Sequence, residues 1–197
     1  NETPTSGSNW LLRICGEALT RWNEEGLPRI EPHQLLKANQ TYFWPGRFDL
    51  RSVEGLPVLL DAAHNSHAVA FFLKNCLSED WKEKLPRPWT LLFATLSDKD
   101  WKICLERLHP NFDEIHLTQT RSPRAVHPSD LLHYTLGLKP SKRILSKESS
   151  LEAIDCALSR VKETRGSLFV LGSLTLLGEA MEHLSIPVFP TLDSPAP

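Results

Sequence analysis

Several polar side chains follow a short apolar run in the middle of the sequence. The segment 59–67 reads Leu-Leu-Asp-Ala-Ala-His-Asn-Ser-His, so that Asp61, His64 and Asn65 come directly after the apolar residues. An aspartate at the end of a strand can accept hydrogen bonds from both hydroxyls of a ribose, and small residues at 62 and 63 let a ligand come close. The simpler interpretation is that one polar residue caps the following helix. Because a cap needs only one residue, the density of polar groups favours a binding segment.

Two further apolar runs also end in polar residues. The first is followed by Ser97, Asp98 and Lys99, of which the serine and the aspartate are good helix caps and the lysine is a typical solvated charge. The second is followed by Gly172, which permits a turn, and by Ser173, which can cap the next helix. Backbone N–H groups at such a helix start also attract anions. Both segments therefore have a structural and a functional interpretation.

One arginine stands at a predicted junction between two parts of the chain. In the segment 43–48, Pro45 and Gly46 predict a turn that presents the planar guanidinium of Arg47. The sequence allows two roles for this side chain, a structural salt bridge or contact with an anionic ligand. Asn9, at the start of the first predicted helix, is likewise open between a helix cap and a ligand contact.

Strand-type runs alternate with helical periodicity from residue 47 onwards. This alternation predicts an α/β fold with a Rossmann-like, mostly parallel sheet of about six strands and helices on both faces. The run 47–51 alternates in polarity, which predicts an antiparallel edge strand joined to the next by a hairpin through 53–57. In such sheets ligands bind outside the carboxyl ends of the strands, where the polar segments lie. The predicted strands are 47–51, 58–61, 90–94, 114–118, 143–145 and 168–171, and the predicted helices are 66–77, 98–108, 128–136, 149–164 and 174–183.

The first 45 residues have a different organisation. Apolar residues from 10 to 22 recur with helical spacing, and a proline-punctuated stretch from 27 to 45, with one short helix near 34–38, predicts a connection between two bodies. We expect residues 1–45 to be a terminal helix and linker, residues 46–185 to form one α/β domain, and residues 186–197 to be a mobile, proline-rich tail. Since the sequence does not begin with Met, we expect a product that begins inside a longer protein.

The amino-acid composition and net charge indicate which classes of binding partner to expect. With 41% hydrophobic and 23% charged residues and a formal net charge of -2, the 197 residues are typical of a globular protein and give no electrostatic reason to bind nucleic acid. No apolar stretch reaches the about 20 residues that cross a bilayer, so no membrane partner is expected. The four cysteines are widely separated and form no Cys-x-x-Cys pair, which predicts neither a zinc site nor a disulfide framework. We expect a cytoplasmic monomer.

Several segments occur in an order and spacing that resemble one protein family. They are Trp44-Pro-Gly-Arg-Phe48, Leu60-Asp-Ala-Ala-His-Asn65, Ser97-Asp-Lys-Asp100, the segment 120–125 with Arg124-Ala125, and Leu171-Gly-Ser173. Over about residues 9 to 183, they resemble the carboxy-terminal portion of folylpolyglutamate synthases and dihydrofolate synthases of the Mur ligase superfamily. The first two segments are the most specific part of the resemblance. Ala62 stands where the family often has Gly, and Ser66 where it often has Pro, and both changes are conservative.

The resemblance implies a reaction and a role for several residues. ATP would phosphorylate a carboxylate of dihydropteroate or a folate, and the amino group of L-glutamate would attack the acyl phosphate, with Mg²⁺ at the phosphates. Arg47 and Asp61 match positions that contact the nucleotide, and Asn9 is similar to an asparagine that recognises the adenine side. His64 and Ser173 match positions that serve the incoming glutamate, and we expect them to be the catalytic pair.

No phosphate-binding loop of the type Gly-x-x-x-x-Gly-Lys-Ser/Thr occurs in the sequence. The resemblance places that loop, the Mg²⁺ ligands and most of the pteridine-binding surface in an amino-terminal P-loop domain, of which residues 1–45 would be the end. We therefore expect the isolated chain to be inactive. A freestanding nucleotide- or glutamate-binding domain without catalysis is the alternative. A serine hydrolase built on Ser173 lacks Gly-x-Ser-x-Gly, and a dinucleotide-dependent oxidoreductase lacks Gly-x-Gly-x-x-Gly.

Overall fold

The computed structural model describes residue 22, residues 44–138 and residues 142–189. All of these except residue 22 belong to one compact unit, Trp44–Pro197. Trp22 is helical; the rest of the predicted first helix, the short helix at 34–38 and Asn9 lie outside the described residues. The division into 1–45, 46–185 and 186–197 stays a prediction.

Within the described residues, six strands form a single mixed sheet. The strands are β1 (Asp49–Val53), β2 (Leu56–Asp61), β3 (Trp89–Phe93), β4 (Glu114–Leu117), β5 (Arg143–Ser146) and β6 (Ser167–Leu171). Their order across the sheet is β1-β2-β6-β3-β4-β5, and β1 is antiparallel to β2 while the other neighbouring pairs are parallel. The predicted α/β class with one antiparallel edge strand is confirmed.

The first two strands form the predicted hairpin. Val53 pairs with Leu56, so the turn between them consists of Glu54 and Gly55. Both turn residues have positive φ, 52° and 78°, which is the conformation of the two-residue type I′ turns that match the twist of paired strands. The interior strands β3 and β6 are buried at every position, because helices cover both faces of the sheet.

The helices lie in two layers. They are α1 (Ser66–Cys76), α2 (Glu79–Lys82), α3 (Trp101–Leu108), α4 (Pro128–Leu138), α5 (Ser150–Thr164) and α6 (Leu174–His183). Phe72 of α1, Leu105 of α3 and Leu131 of α4 belong to one buried apolar cluster. Ile154 of α5 and Leu177 of α6 belong to a second cluster on the other face. The sheet therefore has α1, α3 and α4 on one side and α5 and α6 on the other.

The connections around β6 leave a crevice at one edge of the sheet. β6 lies between β2 and β3, and the chain leaves β2 and β3 toward α1 and α3 on one face but leaves β6 toward α6 on the other face. Where neighbouring strands send the chain to opposite faces, no connection covers their carboxyl ends, and ligands bind at such points in open α/β sheets. The fold thus singles out the carboxyl ends of β2, β6 and β3.

Several observed elements differ locally from the predicted ones. The strand predicted at 47–51 is Asp49–Val53, because Arg47 and Phe48 belong to the preceding turn, and the hairpin turn is 54–55 rather than 53–57. The helix predicted from residue 98 begins at Trp101, because the preceding residues form a turn that is bonded to a neighbouring loop. The sequence pattern does not predict α2, since four residues are too few to show a helical period. None of the described helices combines the length and apolarity needed to span a bilayer. Of the described cysteines, Cys76, Cys104 and Cys156 are free thiols.

Candidate functional site

Three of the predicted polar segments leave the sheet side by side at the crevice. Asp61, the last residue of β2, pairs with Leu171 of β6. Phe93, the last residue of β3, pairs with the same Leu171 from the other side. The residues that follow these three strands are therefore neighbours, although the third segment lies more than a hundred residues after the first.

Both oxygens of the Asp61 carboxylate accept hydrogen bonds from the backbone. Oδ2 accepts from the N–H of Phe48 at 2.7 Å, and Oδ1 accepts from the N–H of Ala63 at 2.8 Å. Burial raises the pKa of Asp61, whereas the two backbone N–H groups and the positive charge of Arg47 act in the opposite direction. Asp61 thus joins the end of β2 to the turn that carries Arg47, and it does not cap the following helix.

The turn at residues 44–48 is held rigidly against the end of β2. The N–H of Gly46 donates to Asp49 Oδ2 at 3.0 Å, and its carbonyl accepts from the N–H of Ala62 at 2.9 Å. Gly46 has a φ of +70°, and a Cβ there would lie 2.7 Å from Leu177 Cδ2, so the turn requires glycine. Arg47 is exposed on this turn, and none of the ion pairs among the described residues includes it.

Two polar residues that follow Asp61, His64 and Asn65, have different surroundings. Asn65 is the N-cap of α1, and its side chain accepts from the N–H of Ala68 at 2.8 Å. His64 is half-buried, with Nδ1 at 2.8 Å from the carbonyl of Ala62. Since a carbonyl can only accept, Nδ1 of the neutral ring carries the proton and Nε2 keeps its lone pair. Asn65 therefore acts as a helix cap, whereas Nε2 of His64 remains available as a hydrogen-bond acceptor for a ligand.

Gly172 and Ser173 bring the start of α6 close to the end of β3. Gly172 has a φ of +100°, and a Cβ there would lie 2.4 Å from the carbonyl oxygen of Ala94 and 2.6 Å from the ring of Phe93. Ser173 caps α6, with Oγ accepting from the N–H of Thr175 at 3.2 Å. Its hydroxyl hydrogen remains available to donate. Together with the backbone N–H groups at the helix start, this arrangement suits an anionic ligand.

The loop after β3 is bonded to the loop after β4. Asp98 forms ion pairs with Lys99 at 3.2 Å and with Arg124 at 3.5 Å. The hydrogen bond with Lys99 is the main reason why the pKa of Asp98 lies below its ordinary value. The N–H of Ser97 donates to the carbonyl of Arg124 at 2.8 Å. Neither Ser97 nor Asp98 caps the next helix, because Asp100 is the N-cap of α3 and both residues bond this neighbouring loop.

Other residues position the site through contacts that the local sequence does not indicate. Asp100 Oδ2 accepts from the N–H of Ser66 at 2.9 Å, and Arg107 Nη1 donates to the carbonyl of Ser66 at 2.6 Å. Hydrogen bonding by Ser66 keeps the pKa of Asp100 below its ordinary value. These contacts from α3 fix the start of α1 directly after His64. On α6, the buried carboxylate of Glu179 bonds two other elements. Only contacts between segments distant in sequence reveal these roles.

One further polar group near the crevice, the hydroxyl of Thr95, is buried. Thr95 is the second residue after β3, and its hydroxyl has no hydrogen-bond partner among the described residues. Within the described ranges no group of three or more His, Cys, Asp or Glu side chains could hold a metal ion.

Comparison with known proteins identifies a family and two curated relatives. Residues 46–174 match the family described as Mur ligase, glutamate ligase domain. The chain is 30% identical over 155 residues to a probable dihydrofolate synthetase of Schizosaccharomyces pombe and 29% identical over 152 residues to the dihydrofolate synthetase of Saccharomyces cerevisiae. These alignments cover 74% and 70% of this chain but 35% and 34% of the relatives. The chain thus spans about a third of their length.

Solved structures share the fold. The folylpolyglutamate synthase of Mycobacterium tuberculosis, in complex with ADP and AMPPCP, matches with a TM-score of 0.70 and 24% identity over 80% of this chain and 36% of its own. FolC of E. coli, in complex with DHPP and ADP, matches with a TM-score of 0.67 and 24% identity over 85% of this chain and 37% of its own. At this identity the likeness concerns the architecture alone.

Proposed function

Because the chain belongs to the Mur ligase family through its glutamate ligase domain, we propose that it is the carboxy-terminal part of an ATP-dependent ligase that joins L-glutamate to dihydropteroate or a folate. The supporting observation is the meeting of the segment from Asp61 to His64 with Gly172 and Ser173 at the carboxyl ends of β2 and β6. The curated relatives, which carry the name dihydrofolate synthetase, support the same substrate class.

On the nucleotide side, the proposal uses one cation and one carboxylate that the structure places together. Arg47 is exposed on a rigid turn, and its planar guanidinium suits phosphate oxygens. Each oxygen of Asp61 accepts one backbone N–H, and because a carboxylate oxygen has two lone pairs it can still accept from a ribose hydroxyl. Asn9 is part of the proposal as the contact to the adenine side, and it lies outside the described residues.

On the glutamate side, the proposal pairs an acceptor with a donor. His64 Nε2 can accept a hydrogen bond from the amino group of glutamate, which must lose a proton before its nitrogen can attack. The hydroxyl of Ser173 and the first N–H groups of α6 can donate to a carboxylate of the same substrate. These complementary groups are the reason for assigning both residues to glutamate.

The reaction would proceed in two steps. A carboxylate is a poor electrophile without a good leaving group, so the acceptor would first be converted to an acyl phosphate with ATP, and the glutamate nitrogen would then form the amide as phosphate departs. We propose that the accompanying Mg²⁺ is held by the phosphates and by an amino-terminal P-loop domain of the same protein. On this proposal the present chain alone does not catalyse ligation, and the whole protein is a cytoplasmic monomer.

The full-length gene product tests the proposal through phosphate release. Release is expected only when ATP, glutamate and dihydropteroate or a folate are all present. Arg47→Ala should raise the KM for ATP about tenfold, since a charge-assisted contact to phosphate is lost. Lys162→Ala is the matched control, because it removes another exposed cation, in the last turn of α5, whose ion-pair partner is Glu54 of the hairpin turn.

Two substitutions test the glutamate assignment. His64→Ala and Ser173→Ala should each raise the KM for glutamate more than the KM for ATP. An unchanged KM for glutamate in both variants would remove these residues from that role. Phosphate release that does not depend on glutamate would contradict the ligase, and binding of ATP or glutamate without any release would instead support a freestanding binding domain.

A further inference from the structure

Glu179 is a buried carboxylate that is not among the residues proposed to contact ATP or glutamate. It lies in α6 and is only 5% exposed. Oε1 accepts from the N–H of Arg121 at 2.9 Å, in the loop after β4, and Oε2 accepts from the hydroxyl of Ser150 in the first turn of α5. None of the ion pairs among the described residues includes Glu179. Burying a carboxyl group is costly unless its oxygens are hydrogen-bonded, and here the two oxygens bond two segments outside α6.

The first partner of Glu179 belongs to a loop that reaches the crevice. The loop begins after β4 and contains Arg121 and Ala125. Ala125 forms an isolated antiparallel bridge with Leu96. The N–H of Val126 donates to the carbonyl of Thr95 at 3.0 Å. The loop after β4 and the loop after β3 therefore form one unit, which we call the loop pair and define as residues 95–99 and 119–126.

The helix of Glu179 begins at the other side of the same crevice. Ser173 caps α6, and Glu179 follows six residues later, which corresponds to about 9 Å along a helix axis. One side chain thus bonds the helix that carries Ser173 to the loop pair that carries Asp98, Lys99 and Arg124. The loop pair has no such bond to α6 through any other carboxylate among the described residues.

We propose that Glu179 is a positioning residue that sets the separation between Ser173 and the loop pair, and so the width of the pocket for glutamate. The proposal rests on the function proposed above. Glu179 does not contact the substrate; it acts through the N–H of Arg121 on one side and through the start of α6 on the other.

The bonding pattern allows geometry and charge to be separated. Glutamine can reproduce both bonds, because its amide oxygen accepts from the N–H of Arg121 and its amide nitrogen donates to the Ser150 hydroxyl. Leucine has a similar size and can make neither bond. Ser150→Ala removes the contact to α5 and leaves the contact to Arg121. Glu179→Gln, Glu179→Leu and Ser150→Ala therefore form a set that isolates the bond to the loop pair.

Amide hydrogen exchange on the 197-residue chain tests the structural half of the proposal without any assay of function. In Glu179→Leu, the N–H groups of Arg121, Ser97 and Val126 should exchange about tenfold faster, as expected for the loss of one hydrogen bond in a local opening. The N–H groups of Leu92 and Phe169, in the interior strands, should be unchanged. Glu179→Gln and Ser150→Ala should resemble the wild-type chain at the loop pair. Equal acceleration in the loop pair and in the sheet, or no acceleration, would overturn the proposal.

Steady-state kinetics of the full-length gene product test the functional half. Glu179→Leu should raise the KM for glutamate about tenfold, because a small displacement of positioning groups is enough for such a loss. The KM for ATP should change little, and Glu179→Gln should restore most of the glutamate KM. Parallel changes in both KM values would show a general structural role and overturn the proposal. If the wild-type protein has no ligase activity, the proposed function fails, while the exchange experiment still decides whether Glu179 holds the loop pair.

Discussion

Two regions of the molecule accommodate buried carboxylates in different ways. At the crevice, Asp61 accepts from two backbone N–H groups, and Glu179 accepts from one backbone N–H and one hydroxyl. On β4, under α5, Glu114 accepts from charged or ionisable side chains instead: His116 Nε2 at 2.9 Å and Arg160 Nε at 2.8 Å. The first arrangement fixes the path of loops, whereas the second brings charges together inside the fold.

This difference predicts different consequences of substitution. A backbone N–H belongs to a loop, so removing its acceptor frees that loop and changes the shape of the crevice. Removing Glu114 leaves His116 Nε2 without its acceptor and removes the buried one of the two carboxylates that bind Arg160, which is a cost to the stability of the fold. We therefore expect crevice substitutions to affect binding more than stability, and substitutions at the group on β4 to do the reverse.

Substitution of Gly172 is expected to have the largest effect. Unlike the other crevice substitutions, it should mainly reduce the stability of the fold. Gly172→Ala places a Cβ against the carbonyl of Ala94 and the ring of Phe93 at a φ of +100°, and it should lower the free energy of unfolding by about 3 kcal/mol. Urea denaturation of the 197-residue chain measures this loss. Gly178→Ala, in the α6 helix that follows Gly172, is the control, because a Cβ there meets nothing within 4 Å. It should stabilise the chain by about 1 kcal/mol or less. A tolerated Gly172→Ala would contradict the close approach of α6 to β3.

Removal of Glu114 on β4 is expected to have the second-largest effect on stability. Glu114→Leu removes the acceptor shared by His116 and Arg160 and should lower the free energy of unfolding by about 2 kcal/mol. Urea denaturation again provides the measurement, and the KM values of the full-length gene product should stay close to those of the wild type. Glu163→Leu is the matched control, since its exposed carboxylate contacts only the outer side of Arg160. Equal losses in the two variants would show that burial of Glu114 is unimportant.

The group on β4 should also make stability depend on pH. Burial lowers the pKa of His116 from its ordinary value, with the Glu114 carboxylate acting in the opposite direction. Because the folded pKa is depressed, the unfolded chain binds the proton first as the pH falls below about 6.5, and the free energy of unfolding should decrease by at most about 1.4 kcal/mol per pH unit. Denaturation at pH 7, 6 and 5 measures the slope. His116→Gln, which can still donate to Glu114 without titrating, should flatten it, and an unchanged slope would exclude His116 as the cause.

The smallest expected effect on stability concerns the crevice. In Asp61→Asn, the amide nitrogen cannot accept, so one of the bonds to the N–H groups of Phe48 and Ala63 is lost, at a cost of about 1 kcal/mol. The same change frees the turn that carries Arg47 and should raise the KM for ATP about tenfold. Stability is measured by denaturation and the KM in the full-length gene product. A loss of stability without a change in KM would place Asp61 with Glu114, as a residue of the fold only.

The sequence predicted the parts of the molecule whose signals are local. Buried parallel strands give continuous apolar runs, which is why β2 and β6 were placed correctly, and the glycine at 55 marks the hairpin turn. Capping of α1 by Asn65 and of α6 by Ser173 depends on the few residues that follow each cap. The caps expected of Ser97 and Asp98 failed because a loop more than twenty residues away binds them instead.

By itself, the sequence determined the α/β class, the residues that follow each strand and the family to which their order belongs. Strand periodicity and short motifs extend over a few residues, so they can be read without knowing which segments meet. Only the tertiary structure decided that β6 lies between β2 and β3, and hence that Asp61 and Ser173 face one crevice. It also decided which carboxylates hold loops, because Phe48, which donates to Asp61, and Arg121, which donates to Glu179, lie 13 and 58 residues away from them along the chain.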